Sequence, residues 1–382
     1  MKEWIQYRRT NRRSVIIMII LLSLLLGACV NKEQHKAKLP AKSEKQKVPA
    51  ADIGAEWKLP MSIPKNEGEF DKFIGWLSNQ QILYVTNYEQ SSNVFAYNLL
   101  TGEHKFIYKT ENPIVNVQIS PSRKLVLVHS APSSYEGLVT IIDKQGKVQS
   151  KRSFPSYELA FEWNPFHESE VLVSSFNEDW SYQLYLLNTQ NANASKITLP
   201  QPFVKYISND QIAFLNWDKN NPDLFASLIV KRLKSGAENT VFPQAIQFSA
   251  FNDVLMTVSI REQEQNKAIY SFFDKRMKKL FTFSIPQLTN FSDWIVPFYD
   301  FNMQRGQFIT LSPVHSGEAD SYMDGFQLIA YNLKKGSSEL ILKGLENEPI
   351  AFSPSGEALL FGNRFEKLID VDAKKIYNLL QE

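Results

Sequence analysis

The chain has 382 residues, 43% of them hydrophobic and 21% charged, a globular composition long enough for one large domain or two ordinary ones. Its 42 basic and 40 acidic residues give a formal charge of +2, and the first 28 residues hold five bases against one acid, so their removal leaves −2. A near-neutral domain has no basic footprint for nucleic acid, and a single cysteine excludes both an internal disulfide framework and a zinc site built on several cysteines.

Residues 2–13 are basic, and residues 15–26 form an apolar run broken only by Ser23. About a dozen apolar residues fall short of the ~20 that a spanning helix needs, but they suit the central region of a signal peptide. The run ends in Leu26-Gly27-Ala28-Cys29, which resembles the lipobox of bacterial lipoproteins. That resemblance implies cleavage before Cys29 and attachment of diacylglycerol to its thiol. A plain secretory leader or an uncleaved anchor helix, with an incidental cysteine, is the alternative, but the sole cysteine stands where the motif needs it. Two acyl chains hold a membrane stably where one does so marginally, so the expected location is the extracytoplasmic face of the cell membrane. Residues 1–28 are therefore read as leader and 29–55 as tether. The tether is rich in Lys, Glu and Gln and almost free of large apolar residues, so it cannot offset its ordering entropy and is expected to stay disordered.

Residues 56–382 are read as one domain, and from about Phe70 onward they repeat one unit. Apolar runs of four to seven residues end at Ser78, Ser120, Asn164, Ser208, Ser249, Asn302 and Ser353, at steps of 42, 44, 44, 41, 53 and 51. A second series closes a later strand at Asn98, Asp143, Asn188, Leu233, Asp274, Asn332 and Asp372, at steps of 45, 45, 45, 41, 58 and 40. Ser, Asn, Asp and Gly recur at such places because tight turns need a positive φ or a side chain that bonds its own backbone. Each unit reads as four short strands, the first set falling near residues 72–77, 82–87, 94–98 and 105–109. Second strands such as Leu125-Val126-Leu127-Val128 and Ala358-Leu359-Leu360-Phe361 are apolar on both faces, so each sheet is expected to lie between two others. Four strands every ~40–45 residues predict an all-β fold, a β-propeller, here of seven blades. Phe352 is then expected on an innermost strand beside the central channel, as Phe301 and Ile119 are.

The turns Ser120-Pro121-Ser122-Arg123-Lys124 and Ser353-Pro354-Ser355-Gly356-Glu357 resemble the Ser-Pro-Asp-Gly-Lys turn of TolB-like and WD40-like propeller repeats. Together with the lipobox, the whole chain resembles the YqgU-like β-propeller lipoproteins of Gram-positive endospore formers. That family is described as six-bladed, whereas both turn series count seven.

In a propeller, the loops joining second to third strands share a face with the blade-to-blade loops. The two oversized steps, 53 and 58, come from insertions at residues 286–294 and 314–325, so both insertions are expected side by side on that face. Its second-to-third loops carry twelve acids against three bases, Lys219, Arg261 and Arg364, together with aromatic residues. Trp180, Trp217, Glu318, Asp320, Tyr322 and Asp324 are the candidate binding residues, because acids beside flat rings suit sugars, amines or basic segments; a solvated acidic rim is the competing reading. The five histidines, His35, His104, His129, His167 and His315, form no ligand pair, and no nucleophile elbow, paired-histidine zinc motif or phosphate loop is present. No cofactor or metal is expected. The expected function is a lipid-anchored binding or scaffolding module for an envelope protein or glycan. The alternative is a hydrolase or lyase acting on a cell-wall or polysaccharide substrate in the channel, and a small-ligand receptor is a third reading.

Overall fold

The structure, a computed structural model, describes residues 53–218, 225–261, 263–289 and 294–381. Cys29, the leader and the tether lie outside the described residues, as do Lys219, Asp223 and Glu262 among the loop charges.

Seven four-stranded antiparallel sheets follow one another along the chain, each with its strands side by side in sequence order. Blade one comprises Glu69–Trp76, Gln81–Tyr88, Ser91–Asn98 and His104–Thr110, within a few residues of the expected strands. The innermost strands of the other six are Ile114–Ile119, Glu158–Trp163, Lys205–Ser208, Gln247–Phe251, Tyr299–Asn302 and Ile350–Phe352. Phe352 thus lies on an innermost strand, and its N–H donates to Asp300 of the neighbouring blade at 2.6 Å.

The core is a ring of seven apolar clusters, one between each pair of adjacent blades, with the seventh joining blade seven back to blade one. Each second strand contributes to the clusters on both of its faces. In blade two, Val126 and Val128 pack towards blade one while Leu127 packs towards blade three, and all three are buried. An alternating strand could fill only one of these spaces, which is why the second strands are continuously apolar. Between blades five and six the filling is aromatic: Tyr270, Phe272, Phe283, Phe308 and Tyr331 interlock, with Phe283 and Tyr331 stacked at 3.6 Å between centroids.

The turn chemistry follows the sequence with two corrections. Asn98, Asp143, Asn188, Asp274 and Asn332 each accept, through Oδ1, the N–H two residues further on, at 2.9 to 3.1 Å. In blade seven that role belongs to Asp370, which accepts from Asp372 and Ala373; Asp372 instead receives both terminal nitrogens of Arg305 from blade six, each at 3.0 Å. In blade five the first turn falls at Asn252, whose φ is 50°, while Ser249 sits within the innermost strand, 2.7 Å from the Tyr299 hydroxyl.

All four strands of blade seven come from the C-terminal end of the chain, so among the described residues no N-terminal strand completes it. The ring is sealed by an N-terminal strap instead. Met61 bridges in parallel to Leu380, donating to Leu379 O at 2.7 Å and accepting from Gln381 N–H at 2.9 Å, while Lys58 N–H donates to Leu99 O of blade one at 2.6 Å. Trp57 and Met61 are buried in the cluster between blades seven and one. Direct contacts add to the seal. Trp76 Nε1–H donates to Ala351 O at 3.0 Å, and the Arg364 guanidinium lies 4.5 Å over the Phe70 ring while donating to the carbonyls of Phe70 and Asp71.

Candidate functional site

The two insertions meet. Leu288–Thr289 pairs antiparallel with Trp294–Ile295 and parallel with Gly317–Glu318, giving a three-stranded patch of sheet above blade six. Leu288 is 2% exposed and roots this patch in the core between blades six and seven, with Ile295, Ala319 and Tyr322 packed beside it. The patch is therefore a fixed structure rather than two loose loops.

Within it the candidate residues divide by role. Glu318, Asp320 and Asp324 are exposed. Tyr322 is half-buried and acts as a latch, its hydroxyl donating to Gly325 O at 2.8 Å and accepting from Val314 N–H at 2.7 Å. Asp324 meets His315 Nε2 at 2.5 Å, and Nδ1 of the same ring lies 3.0 Å from Ser316 O. These two hydrogen bonds raise the His315 pKa, the Ser316 carbonyl contributing most. Sequence reasoning did not foresee this pair, because nothing local aligns residues nine apart in a loop.

Trp180 and Trp217 stand elsewhere on the same face, over blades three and four. The structure thus separates the six candidates into a pair on blades three and four and four residues on blade six, with blade five between. Trp180 is 61% exposed although it is a large aromatic residue, and its φ is 62°, a left-handed conformation that costs a residue with a Cβ about 1–2 kcal/mol. The loop holds it there: Trp180 N–H donates to Asn177 O at 3.0 Å, and Asp179 Oδ1 accepts both Ser181 N–H at 3.0 Å and Ser181 Oγ–H at 2.6 Å. The same two bonds from Ser181 lower the Asp179 pKa.

A neighbour of Trp180 escaped the sequence reading. Phe203, in the connection from blade three to blade four, is 65% exposed. It stacks on the buried Phe176 at 5.5 Å, and Trp180 packs edge-on against the same ring at 5.9 Å. Ser174 Oγ–H to Pro202 O at 2.7 Å and Tyr182 O–H to Pro200 O at 3.1 Å pin this connection. A proline-flanked phenylalanine in a blade-to-blade loop was the available signal.

Phe203 and Trp217 flank a cavity of about 380 Å³ that opens at the channel mouth between the innermost strands of blades three, four and five. Its walls are apolar, with Val204, Leu215, Ile246 and Phe248 among them, and it holds one ion pair: Lys205 Nζ to Glu162 Oε2 at 2.5 Å. Burial pushes the Glu162 carboxyl up, against the pull of the Lys205 ammonium and of the Tyr206 N–H. A second space of about 450 Å³ at the other end of the channel shares Phe161, Glu162 and Lys205, so the ion pair stands between two openings. Across the channel, Asp300 is pushed up to about 6 by burial, opposed by the N–H groups of Phe352 and Phe301 and by Arg123. Among the described residues no three His, Cys, Asp or Glu side chains are grouped to hold a metal ion.

Similarity to known proteins agrees with this architecture. The chain is 26% identical over 359 residues, 94% of each protein, to the uncharacterized lipoprotein YqgU of Bacillus subtilis strain 168. The crystal structure of an uncharacterized protein from Listeria monocytogenes EGD-e superposes with a TM-score of 0.76 at 23% identity, covering 82% of this chain and 95% of that one. The β-propeller domain of the Trilobed protease from Pyrococcus furiosus, described as having an open velcro topology, shares the fold at a TM-score of 0.54 and 13% identity, covering 82% and 98%. The model of the YqgU-like 6-bladed β-propeller domain matches residues 98–362, a span that begins at the end of the third strand of blade one and stops before the two outer strands of blade seven. Two of the seven blades seen here are therefore incomplete within that span, and with this difference in blade number the chain belongs to the YqgU-like β-propeller family.

Proposed function

We propose that this protein is a lipid-anchored binding module outside the cytoplasmic membrane, whose loop face engages a protein or glycan of the cell envelope. One observation carries the reading: large aromatic side chains, Trp180 and Phe203 above all, are held exposed on pinned loops of the face that also bears the rooted insertion. A folded chain gains nothing from showing these rings to water, and a left-handed tryptophan adds strain that only a rigid surroundings can sustain. The lipobox at Cys29 and the lipoprotein description of the Bacillus subtilis relative support the anchor.

Two measurements test this. Cys29→Ser should abolish incorporation of a fatty-acid probe in growing cells; undiminished label rejects the anchor. For the face, Trp180→Ala and a triple Glu318→Ala, Asp320→Ala, Asp324→Ala variant are cross-linked in intact cells beside the parent. Both fold normally, since exposed loop substitutions cost little, and at least one loses the parent's cross-linked envelope species. An unchanged pattern in both rejects the face.

A further inference from the structure

We propose that the cavity between blades three, four and five is a subsite for one ring of an uncharged oligosaccharide, with Trp217 and Phe203 as its stacking walls and the Glu162–Lys205 pair as its polar floor. The inference rests on the binding reading above and assigns its ligand class.

The volume of about 380 Å³ falls within the ~300–1,000 Å³ of small-molecule sites, and the mouth is open to solvent beside two exposed rings. What selects among ligands is the combination of an apolar wall with one satisfied ion pair. The Glu162 carboxylate already accepts from Lys205 and from the Tyr206 N–H. Lys205 has two further N–H bonds to give, and its side chain is 43% exposed. An aliphatic or aromatic peptide side chain pushed into this space would cover those donors and satisfy none, and a buried donor left without an acceptor weakens binding. An anionic sugar would compete with Glu162 for the lysine and break the pair. It would also have to approach past the exposed acids Glu178 and Asp179 beside Trp180.

A neutral pyranose avoids both conflicts. Its C–H faces lie flat on aromatic rings, and each hydroxyl both donates and accepts, so two neighbouring hydroxyls can bond the ammonium and the carboxylate together without separating them. The platform then continues outward. Phe203 stacks on Phe176, and Phe176 carries Trp180 on its edge, so a second ring of the same chain meets Trp180 just outside the cavity. The left-handed conformation at Trp180 holds its ring exposed beside that platform.

The test uses the full-length protein in a non-glycosidic detergent, with fluorescently labelled oligomers of N-acetylglucosamine as the neutral probe and oligogalacturonate of equal length as the anionic one, read by fluorescence polarisation. The neutral oligomer binds saturably, and longer oligomers bind tighter until Trp180 is reached. Trp217→Ala and Phe203→Ala each weaken binding at least tenfold, and Trp180→Ala weakens only the longer oligomers. No saturable binding of the neutral probe at millimolar concentration, equal or tighter binding of oligogalacturonate, or an unaltered Trp217→Ala variant each overturns the assignment. Failure of the wider reading looks different: there the cross-linked envelope species persists in every variant. Loss of that species in Trp180→Ala without any sugar binding rejects the ligand class and keeps the face.

Discussion

Asp300 offers the sharpest physical test of the ring. Its carboxylate sits on the innermost strand of blade six and accepts two backbone N–H groups, Phe301 through Oδ1 at 2.7 Å and Phe352 through Oδ2 at 2.6 Å. Burial nevertheless dominates and moves its pKa from 3.8 to about 6. The sign follows directly. Between these values the folded chain keeps a proton that the unfolded chain has released, so the stability this group supplies is complete below 3.8 and is lost as pH rises through 6. At ~1.36 kcal/mol per pH unit the loss amounts to ~3 kcal/mol. Asp300→Asn removes the titration while keeping the shape. It also turns one amide group towards a backbone N–H, so the absolute stability of the variant falls at every pH. The informative quantity is the difference between variant and parent, measured by urea unfolding from pH 3.5 to 7.5. That difference should move in the variant's favour by ~3 kcal/mol across the window. Arg123 opposes the burial, so Arg123→Gln should push the midpoint of the window upward. A difference that stays flat from pH 3.5 to 7.5 refutes the argument, because it means the carboxylate is as well solvated in the folded ring as in the open chain.

Gly146, with φ at 86° in the last turn of blade two, has no room for a side chain, since a Cβ there would lie 1.8 Å from the Ile107 carbonyl of blade one. Gly146→Ala should cost ~2–4 kcal/mol in urea unfolding, the sum of left-handed strain and overpacking; a loss under 0.5 kcal/mol would contradict that packing. Trp57→Ala should lower the melting temperature and raise amide exchange in blades one and seven while leaving blades three to five protected, because Trp57 packs only into the cluster at that seam. Uniform loss of protection around the ring would show instead that the strap stabilises the whole fold as one unit.

The blade count was legible because the repeat is written in local chemistry. A side chain such as Asn98 or Ser120 bonds a backbone N–H within five residues, so the turn depends on almost nothing outside itself. The same locality explains the errors. At the last turn of blade seven Asp370 and Asp372 are both plausible by type, and only Arg305, arriving from blade six, decides which of them faces a neighbour. Ser249 matched the pattern by residue type while its hydroxyl serves Tyr299 fifty residues away. That the two insertions lie side by side followed from propeller topology, since both loop classes leave the same edge of a blade, but their pairing as strands did not. The cavity did not. Glu162 and Lys205 are 43 residues apart, each unremarkable in its own strand, and they meet only because the third and fourth innermost strands stand side by side. The strap was equally hidden: Met61 and Leu380 lie at opposite ends of the sequence, and no periodicity connects them.

That strap gives the molecule a mechanical weak point in a defined place. The segment that seals blade seven to blade one is also the first described stretch of the chain, so a pull on its N-terminal side meets Gly54, bonded to Asp370, and then Trp57, Lys58 and Met61. Such a pull loads the strap's bonds to Asp370, Leu99, Leu379 and Gln381. Once Trp57 and Met61 leave the seam, the first blade is held to the last by the Arg364 and Trp76 contacts, by Ser355 N–H donating to Asn79 Oδ1 at 2.8 Å, and by the rest of the apolar cluster between them. A pull on the strap would therefore load the ring at a single radius, leaving the cavity of blades three to five, nearly opposite, the part of the ring that is disturbed least.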